Sequence, residues 1–344
     1  MLNALDFDIM DWSNYLANIG EAKFRAKQVF NWLYKGECFD NMSNLPKKLQ
    51  VKLKEEFVEN PVKIYKKLIS KKDGTRKYIF ALSDGNIIEG VLMSYKYGNT
   101  ICISTQVGCR MNCAFCASGI DGLVRNLTCG EMVGEVLAVN NDLGNGERQI
   151  TNIVLMGSGE PFDNYDNVVK FINLISDENG INISKRNISL STCGLCDKIY
   201  KLADEVGSVT LTISLHAPND DIRNKIMPVN KAYKIEDIIK AVNYYFEKTG
   251  RRIIFEYSMI KGVNDSRECA KELCRLLKGM PCHVNLINLN FVKEKGLLSS
   301  EKEPVKEFLK VLENAGISAT IRRTMGSDIE GACGQLRRSI LQNK

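Results

Sequence analysis

The chain contains very little histidine and no long apolar run. Only His216 and His283 occur among its 344 residues, which excludes most zinc hydrolases and most schemes in which an imidazole transfers the proton. No stretch approaches the roughly 20 apolar residues that span a bilayer. The acidic N-terminus lacks the basic start and apolar run of a secretory leader, and no internal repeat is evident. The sequence therefore predicts a cytoplasmic globular protein without a membrane partner.

Cysteine, in contrast, is plentiful. Twelve cysteines in a chain without a leader indicate a reducing compartment, where thiols are kept for metals or chemistry. Hydrophobic residues at 44% and charged residues at 26% are ordinary for a globular protein. The formal net charge of +6 favours a polyanionic partner without requiring one.

The hydrophobic pattern changes character along the chain. Residues 1–60 show helical spacing, and alternating stretches separated by Asp73-Gly74 and Asp84-Gly85 then predict β-hairpins. From residue 100 onwards strands and helices alternate. We expect four parts: a helical accessory domain over 1–60, a β-hairpin extension over 61–98, a barrel over 99–295, and a C-terminal helix, strand and loop over 296–344.

The alternating region predicts an open barrel. Strands are expected at 100–105, 152–157, 187–192, 209–216, 252–260 and 282–289. Helices are expected between them at 130–142, 165–176, 196–206, 235–248 and 267–278, followed by a helix at 303–315 and a strand at 317–323. Strands that are each followed by a helix form a parallel sheet. Six such units are too few for a closed eight-stranded barrel, so the predicted fold class is α/β with a partial (β/α)6 barrel.

Three cysteines stand close together after the first barrel strand, in the run GCRMNCAFCASG (108–119). Cys109, Cys113 and Cys116 cannot complete a tetrahedral zinc site, which needs a fourth ligand. They can bind three irons of a 4Fe–4S cluster and leave the fourth iron open to an amine and a carboxylate. Three buried core thiols are the alternative. The spacing, with Phe115 before the last cysteine, resembles the signature of the radical S-adenosylmethionine (SAM) enzymes.

Short polar groups stand at the predicted ends of other barrel strands, where the chemistry of such barrels gathers. Gly159 and Glu160 follow the second strand, and glycine there allows a ligand to approach the backbone closely. In radical SAM enzymes the similar segment holds the methionine amino group. The remaining residues that suit a ribose, a carboxylate or an adenine edge are Ser191, Ser214, Leu215, His216 and Asn290.

Further stretches are similar to the bacterial RlmN family, over about residues 20–338. These are FRAKQVFNWLYKG (24–36), SLHAPN (214–219), MPVNK (227–231), FEY (255–257), GVND (262–265), HVNLI (283–287) and DIEGACGQL (328–336). The chain departs from the family pattern at Ser118, Ser158, Asn288, Phe291 and Gly331. Asn288 and Phe291, on either side of Asn290, stand where the family usually has proline.

The resemblance implies a radical SAM methyltransferase that acts on carbon 2 of adenosine in 23S rRNA and in the tRNA anticodon loop. It implies a 4Fe–4S cluster on the three cysteines and two SAM molecules per turnover. By the same resemblance, Cys333 carries a methyl group, joins covalently to the RNA through it, and is released when Cys102 forms a disulfide. Glu89 matches the family's proton acceptor. Whether Glu89 or Cys102 takes the carbon-2 proton stays open.

The expected partners follow from this chemistry. The target adenine must be splayed out of its stack to reach a buried site, and the helical N-terminal part and the arginine pairs are candidates for phosphate contacts. An electron donor such as flavodoxin or ferredoxin is also implied. Two alternatives are a methyltransferase of the carbon-8, antibiotic-resistance branch and a non-catalytic iron–sulfur protein that binds RNA. Packing is the preferred interpretation of Cys193 and Cys196, with a redox role or an auxiliary cluster as the alternative.

Overall fold

The computed structural model describes residues 1–144 and 149–329. An aromatic core organises the N-terminal part, where Trp12 is fully buried and its ring centroid lies 4.9 Å from that of Phe57. Asp8 caps the first helix by accepting a hydrogen bond from the Asp11 amide. The elements here are β1 (Leu2–Asn3), α1 (Ile9–Asn18), α2 (Arg25–Leu33), α3 (Lys47–Glu56) and β2 (Phe57–Val58).

Four antiparallel strands follow the helical part: β3 (Val62–Ile69), β4 (Arg76–Leu82), β5 (Ile87–Tyr95) and β6 (Gly98–Cys102). The predicted turns at Asp73-Gly74 and Asp84-Gly85 connect β3 to β4 and β4 to β5. Both glycines have positive φ, which tight hairpin turns favour.

Strands and helices then alternate to the end of the described chain. A short antiparallel pair comes first, β7 (Gln106–Gly108) with β8 (Leu123–Asn126). The remaining strands are β9 (Ile150–Leu155), β10 (Ile188–Thr192), β11 (Thr210–Ser214), β12 (Ile253–Met259), β13 (Cys282–Asn288) and β14 (Ala319–Ile321). The helices are α4 (Cys129–Leu143), α5 (Tyr165–Ile175), α6 (Cys196–Glu205), α7 (Asp220–Ile226), α8 (Ile235–Thr249), α9 (Arg267–Leu276) and α10 (Lys302–Asn314).

One ten-stranded sheet contains both the barrel and the hairpins. Its order is β14-β13-β12-β11-β10-β9-β6-β5-β4-β3, parallel from β14 to β6 and antiparallel beyond. The predicted partial barrel with a small helical N-terminal region is confirmed. The hairpin extension is a direct continuation of the barrel sheet. No helix within 1–144 or 149–329 is both long and apolar enough to cross a bilayer.

The first barrel strand ends earlier than the predicted range of 100–105. β6 stops at Cys102. The Ile103 amide still donates to the Val154 carbonyl of β9 (3.1 Å), but the next two amides find partners outside the strand ladder. The Ser104 amide donates to Oε2 of the buried Glu135 (3.2 Å), and the Thr105 amide donates to the Ser158 carbonyl (2.9 Å). Cys102 is therefore the last residue of its strand, beside the site-bearing loops.

Residues 322–329, called the crossing segment below, run from β14 to the β3–β4 turn. The Arg322 amide donates to the Leu286 carbonyl (2.8 Å) at the β13 edge. Farther along, the Gly326 amide donates to Asp73 Oδ2 (2.9 Å), and Ser70 Oγ donates to Asp328 Oδ1 (2.6 Å). The crossing segment thus connects one edge strand to the turn beside the other.

Candidate active site

The strand register brings Glu89 and Cys102 to one face of the sheet. Val91 lies opposite Lys77 on one side and opposite Cys102 on the other. Since side chains alternate along a strand, Glu89 shares the face of Val91. Glu89 is only 4% exposed, and its Oε2 lies 3.1 Å from Nζ of Lys77, which is completely buried.

Cys102 lies in a small apolar cluster that includes part of the crossing segment. It is buried with Val91 and Met93, and Met156 and Met325 pack against this group. Met325 belongs to the crossing segment, so that segment passes close to Cys102. Cys333, eight residues farther along the chain, lies outside the described residues.

The cysteine loop is held at its base by close backbone packing. Gly108 has a φ of +81°, and a Cβ at this position would lie 2.0 Å from the Gly122 carbonyl oxygen. The Cys109 amide donates to that same carbonyl (3.0 Å). Inside the loop, the Ala114 amide donates to the Ile226 carbonyl at the end of α7 (2.8 Å). These contacts attach residues 108–122 to the barrel mouth.

The three loop cysteines are neighbours in the structure. Burial, together with the nearby Cys116, raises the pKa of Cys109 to about 12. Burial also raises the pKa of Cys113, with Cys116 and Cys109 as the next largest causes. The thiols of Cys109 and Cys113 are therefore protonated at neutral pH until a metal displaces the protons.

The donor set of the loop fits an iron–sulfur cluster better than a single ion. In the described residues no group of three or more His, Cys, Asp or Glu side chains is gathered to hold one metal ion. The thiolates of a 4Fe–4S cluster bind different irons, so they need not converge on one point. Soft thiols in a shared, buried loop meet the requirements of such a cluster.

Glycines at the end of β9 allow close packing against the end of β6. A Cβ on Gly157 would lie 2.5 Å from the Ile103 carbonyl oxygen, and one on Gly159, whose φ is +111°, would lie 2.7 Å from Thr105 Oγ1. The buried Glu160 accepts hydrogen bonds from the amides of Phe162 (3.1 Å) and Cys193 (2.8 Å). Burial raises the pKa of Glu160.

Polar groups at the ends of β10 and β11 lie together. Ser191 Oγ and Ser214 Oγ are 3.4 Å apart, and Leu215 is fully buried. His216 has a left-handed φ of 55°, and its Nδ1 accepts a hydrogen bond from the Ser258 amide (3.0 Å). Burial lowers the pKa of His216 to about 3, so the ring is neutral with its proton on Nε2.

The cysteine loop meets the end of β11 through two rings. The centroids of Phe115 and His216 are 4.8 Å apart in an edge-to-face arrangement. Asn290 is the predicted site residue that the geometry supports least. It is exposed, and in the described part of the chain no hydrogen bond joins it to the other predicted site residues.

Sequence analysis missed Arg223, which is fully buried on α7. Its Nη2 donates to the Cys193 carbonyl (2.6 Å), and its Nε donates to the Leu215 carbonyl (3.1 Å). It thereby holds the carboxyl ends of β10 and β11 together. The signal was its spacing, since Arg223 stands three residues before the buried Ile226, on the apolar stripe of the helix.

Lys77 was missed in the same way. It stands two residues before the buried Ile79 on β4 and therefore lies on the same, core-facing side of the strand. A lysine at such a position is rarely left without a buried carboxylate, and the sequence offers Glu89 two residues from Val91 on the neighbouring strand.

Comparison with known proteins identifies two matching families. Residues 103–277 match the model of the radical SAM superfamily. Residues 2–58 match the model of the ribosomal RNA large subunit methyltransferase N-terminal domain. The first match implies a 4Fe–4S cluster and SAM as cofactors.

Relatives extend the likeness over the whole chain. Two probable dual-specificity RNA methyltransferases named RlmN are similar. That of Thermoanaerobacter sp. strain X514 is 52% identical over all of both chains, and that of Clostridium perfringens strain 13 is 54% identical over 100% of this chain and 99% of its own. The crystal structure of a radical SAM methyltransferase from Sphaerobacter thermophilus is 42% identical, with a TM-score of 0.94 over 97% of this chain and 99% of its own. The chain therefore belongs to the RlmN family of radical SAM RNA methyltransferases.

Proposed function

We propose that this enzyme methylates carbon 2 of adenosine in 23S rRNA and in the tRNA anticodon loop, with Cys333 as the methyl carrier and Cys102 as the resolving thiol. The observation that carries the proposal is the shared face of Glu89 and Cys102, against which Met325 of the crossing segment packs. A base, a thiol and the chain that leads to Cys333 are thus adjacent. Carbon 2 of adenine is electron-poor, so it does not attack a methyl donor as an amine would.

Cys109, Cys113 and Cys116 would hold the cluster, and the ends of β9, β10 and β11 would hold SAM. When bound, the cluster and SAM supply the electron and the radical that activate the methyl group. Glu160 and the Gly159 backbone would hold the methionine part. Ser191, Ser214, Leu215, the neutral His216 and Asn290 are assigned to the rest of the molecule, and two SAM are consumed per turnover.

Release of the RNA requires Cys102 and Cys333 to form a disulfide, with Cα atoms within about 7 Å of each other. Met325 already packs against the Cys102 cluster. The eight residues from Met325 to Cys333 span at most about 28 Å when extended, so the thiol of Cys333 is within reach. A reductant then returns both thiols for the next turnover.

Glu89 and Cys102 are the two bases on this face that could take the carbon-2 proton. The ammonium of Lys77 fixes the position of the Glu89 carboxylate. The substrate adenine has to be splayed into the barrel mouth to meet them. The electron donor is assigned to the flavodoxin or ferredoxin class, in a cytoplasm that keeps the thiols reduced.

The test is anaerobic cluster reconstitution followed by three assays on one preparation: SAM cleavage, methylation of the Cys333 peptide and methylation of RNA. All three are expected from the wild-type enzyme. The Cys113→Ala variant should lose the visible absorbance of the cluster together with every activity. RNA binding without SAM cleavage by a fully loaded wild-type protein would instead indicate a non-catalytic iron–sulfur protein.

A further inference from the structure

A second concave site lies on the N-terminal helical part, away from the residues assigned to catalysis. It is a cavity of about 310 Å³, at the small end of the range for ligand pockets, which is about 300–1,000 Å³. The residues that line it are Phe24, Lys27, Gln28, Asn31, Trp32, Lys35 and Asn44. Most of them lie on α2, in a stretch that the proposed chemistry does not use.

The cavity combines aromatic surfaces with positive charge. Phe24 is 64% exposed, so its ring is accessible to a ligand in the cavity. Trp32 is held in a fixed orientation, because its Nε1 donates to Asn44 Oδ1 (2.7 Å) and Lys35 Nζ lies 5.3 Å from its ring centroid. Of the described residues that line the cavity, two are lysines and none is acidic.

The cavity also contains an unused hydrogen-bond acceptor. Oε1 of Gln28 is shielded from solvent and has no hydrogen-bond partner in the described structure. An orphaned buried acceptor is unfavourable, so a donor on a bound ligand that reaches it would stabilise the complex. The exocyclic amino group of a nucleobase is such a donor.

A second cavity, also lined by described residues, has the opposite character. It has a volume of about 460 Å³ and is lined by Asp8, Asp11, Asp166, Asp177 and Glu205, with Lys170 as its only cation. A phosphate would be repelled there. The aromatic, basic cavity on α2 is therefore distinguished by its chemistry rather than by its size.

The geometry points to a binding site for one unpaired nucleotide of the RNA substrate, distinct from the adenosine that is methylated. The base stacks against both Phe24 and Trp32, its amino group donates to Gln28 Oε1, and the phosphate lies near Lys27 and Lys35. This inference rests on the proposed function only in taking RNA as the substrate class. Such a site would anchor the RNA while the target base enters the barrel.

The test measures binding of the reconstituted full-length enzyme to a short single-stranded RNA that contains no adenosine, so that the catalytic site has no target base. Phe24→Ala should weaken binding by roughly 5- to 100-fold, the usual effect of one lost base–aromatic stack. Its salt dependence should stay that of the wild type. Lys27→Ala should weaken binding and lower the slope of log K against log salt by about 1.

Two variants are matched controls. Tyr65→Ala removes a similarly exposed aromatic (58%) from β3, and Lys310→Ala removes an exposed lysine from α10. Both should bind the RNA as the wild type does. A Phe24→Ala variant with wild-type affinity, or an equal loss in Tyr65→Ala, would overturn the inference.

Tryptophan emission gives a second measurement that does not depend on affinity. The chain has two tryptophans, and Trp12 is completely buried, so stacking on Trp32 should quench emission and Trp32→Phe should abolish the RNA-dependent change. Quenching that persists in Trp32→Phe would contradict the site.

If the proposed function fails, wild-type enzyme will not methylate RNA while these binding results still hold. If only the site fails, methylation is intact and Phe24→Ala binds normally.

Discussion

Cys102 and Cys333 are the two residues on which the proposed mechanism depends most. Without Cys102, the reaction should stop after the covalent bond between Cys333 and RNA has formed. Cys102→Ala is expected to accumulate a protein–RNA crosslink that survives denaturation, seen as a shifted band on a denaturing gel. The bond cannot form without the methyl carrier, so the double variant with Cys333→Ala should show no crosslink.

Cys269→Ala, which removes another buried thiol outside the site, is the matched control and should turn over normally. Release of free RNA from Cys102→Ala, in protein that still cleaves SAM and methylates Cys333, would exclude Cys102 as the resolving thiol.

The buried ion pair between Lys77 and Glu89 should make a measurable contribution to the free energy of unfolding. Both side chains are buried, and removing one member of a buried ion pair destabilises a protein by roughly 3–5 kcal/mol. Lys77→Met should therefore lower the free energy of unfolding by about that amount in denaturant titration. Adding Glu89→Gln should recover much of the stability without recovering RNA methylation, because the proposed base is absent. Recovery of both would assign the pair to packing alone.

At the scale of elements, much of the barrel could be predicted from sequence alone. The alternation of apolar runs with amphipathic helices indicated β9 to β14, α4 to α6 and α8 to α10 to within a few residues, because each element carries its own hydrophobic period. The short helix α7 was not predicted. Pairings set by distant residues could not be predicted. The short β7–β8 pair and the early end of β6 depend on partners such as Glu135 and Ser158, whose positions no local pattern encodes.

The site was predictable to a similar extent. The spacing of Cys109, Cys113 and Cys116 indicated cluster chemistry, and strand ends indicated the polar residues that we assign to SAM. Arg223 and Lys77 were not found, because spacing along one element shows only which face a residue occupies. Identifying the buried partners of either residue requires the packing of the neighbouring elements. The roles of Cys333, Cys102 and Glu89 came from the family resemblance and stay predictions. The division of the chain at residues 60, 98 and 295 also stays a prediction.

The β3–β4 turn is the element that fixes the crossing segment. The Gly326 amide lowers the pKa of Asp73 to about 2. Because this value lies below the usual pKa of about 3.9, the stabilisation is fully present above that pH and is lost as the pH falls towards 2. At neutral pH, Asp73→Asn should therefore weaken the contact. Peptides covering the crossing segment should exchange amide hydrogen faster, and methylation of Cys333 should slow.

Asp221→Asn, which changes an exposed aspartate on α7, should leave both quantities unchanged. Wild-type exchange of the crossing segment in Asp73→Asn would indicate that the turn does not hold it.

At the scale of the whole molecule, one continuous sheet joins the two halves of the chemistry. The parallel strands end at the loops assigned to the cluster and SAM. The antiparallel strands supply Glu89 and Lys77, and they end at the turn that receives the crossing segment. In the proposed mechanism, radical generation takes place at the parallel strands and methyl transfer at the antiparallel strands. Cys102 lies where the two sets of strands meet.

The most direct test of this account is to locate the methyl group on the product. RNA methylated by the reconstituted enzyme should be digested to nucleosides and compared by mass spectrometry with 2-methyladenosine and 8-methyladenosine standards. The expected product is 2-methyladenosine, formed only when Cys333 is present. A product methylated at carbon 8, or 2-methyladenosine formed equally well by Cys333→Ala, would contradict it.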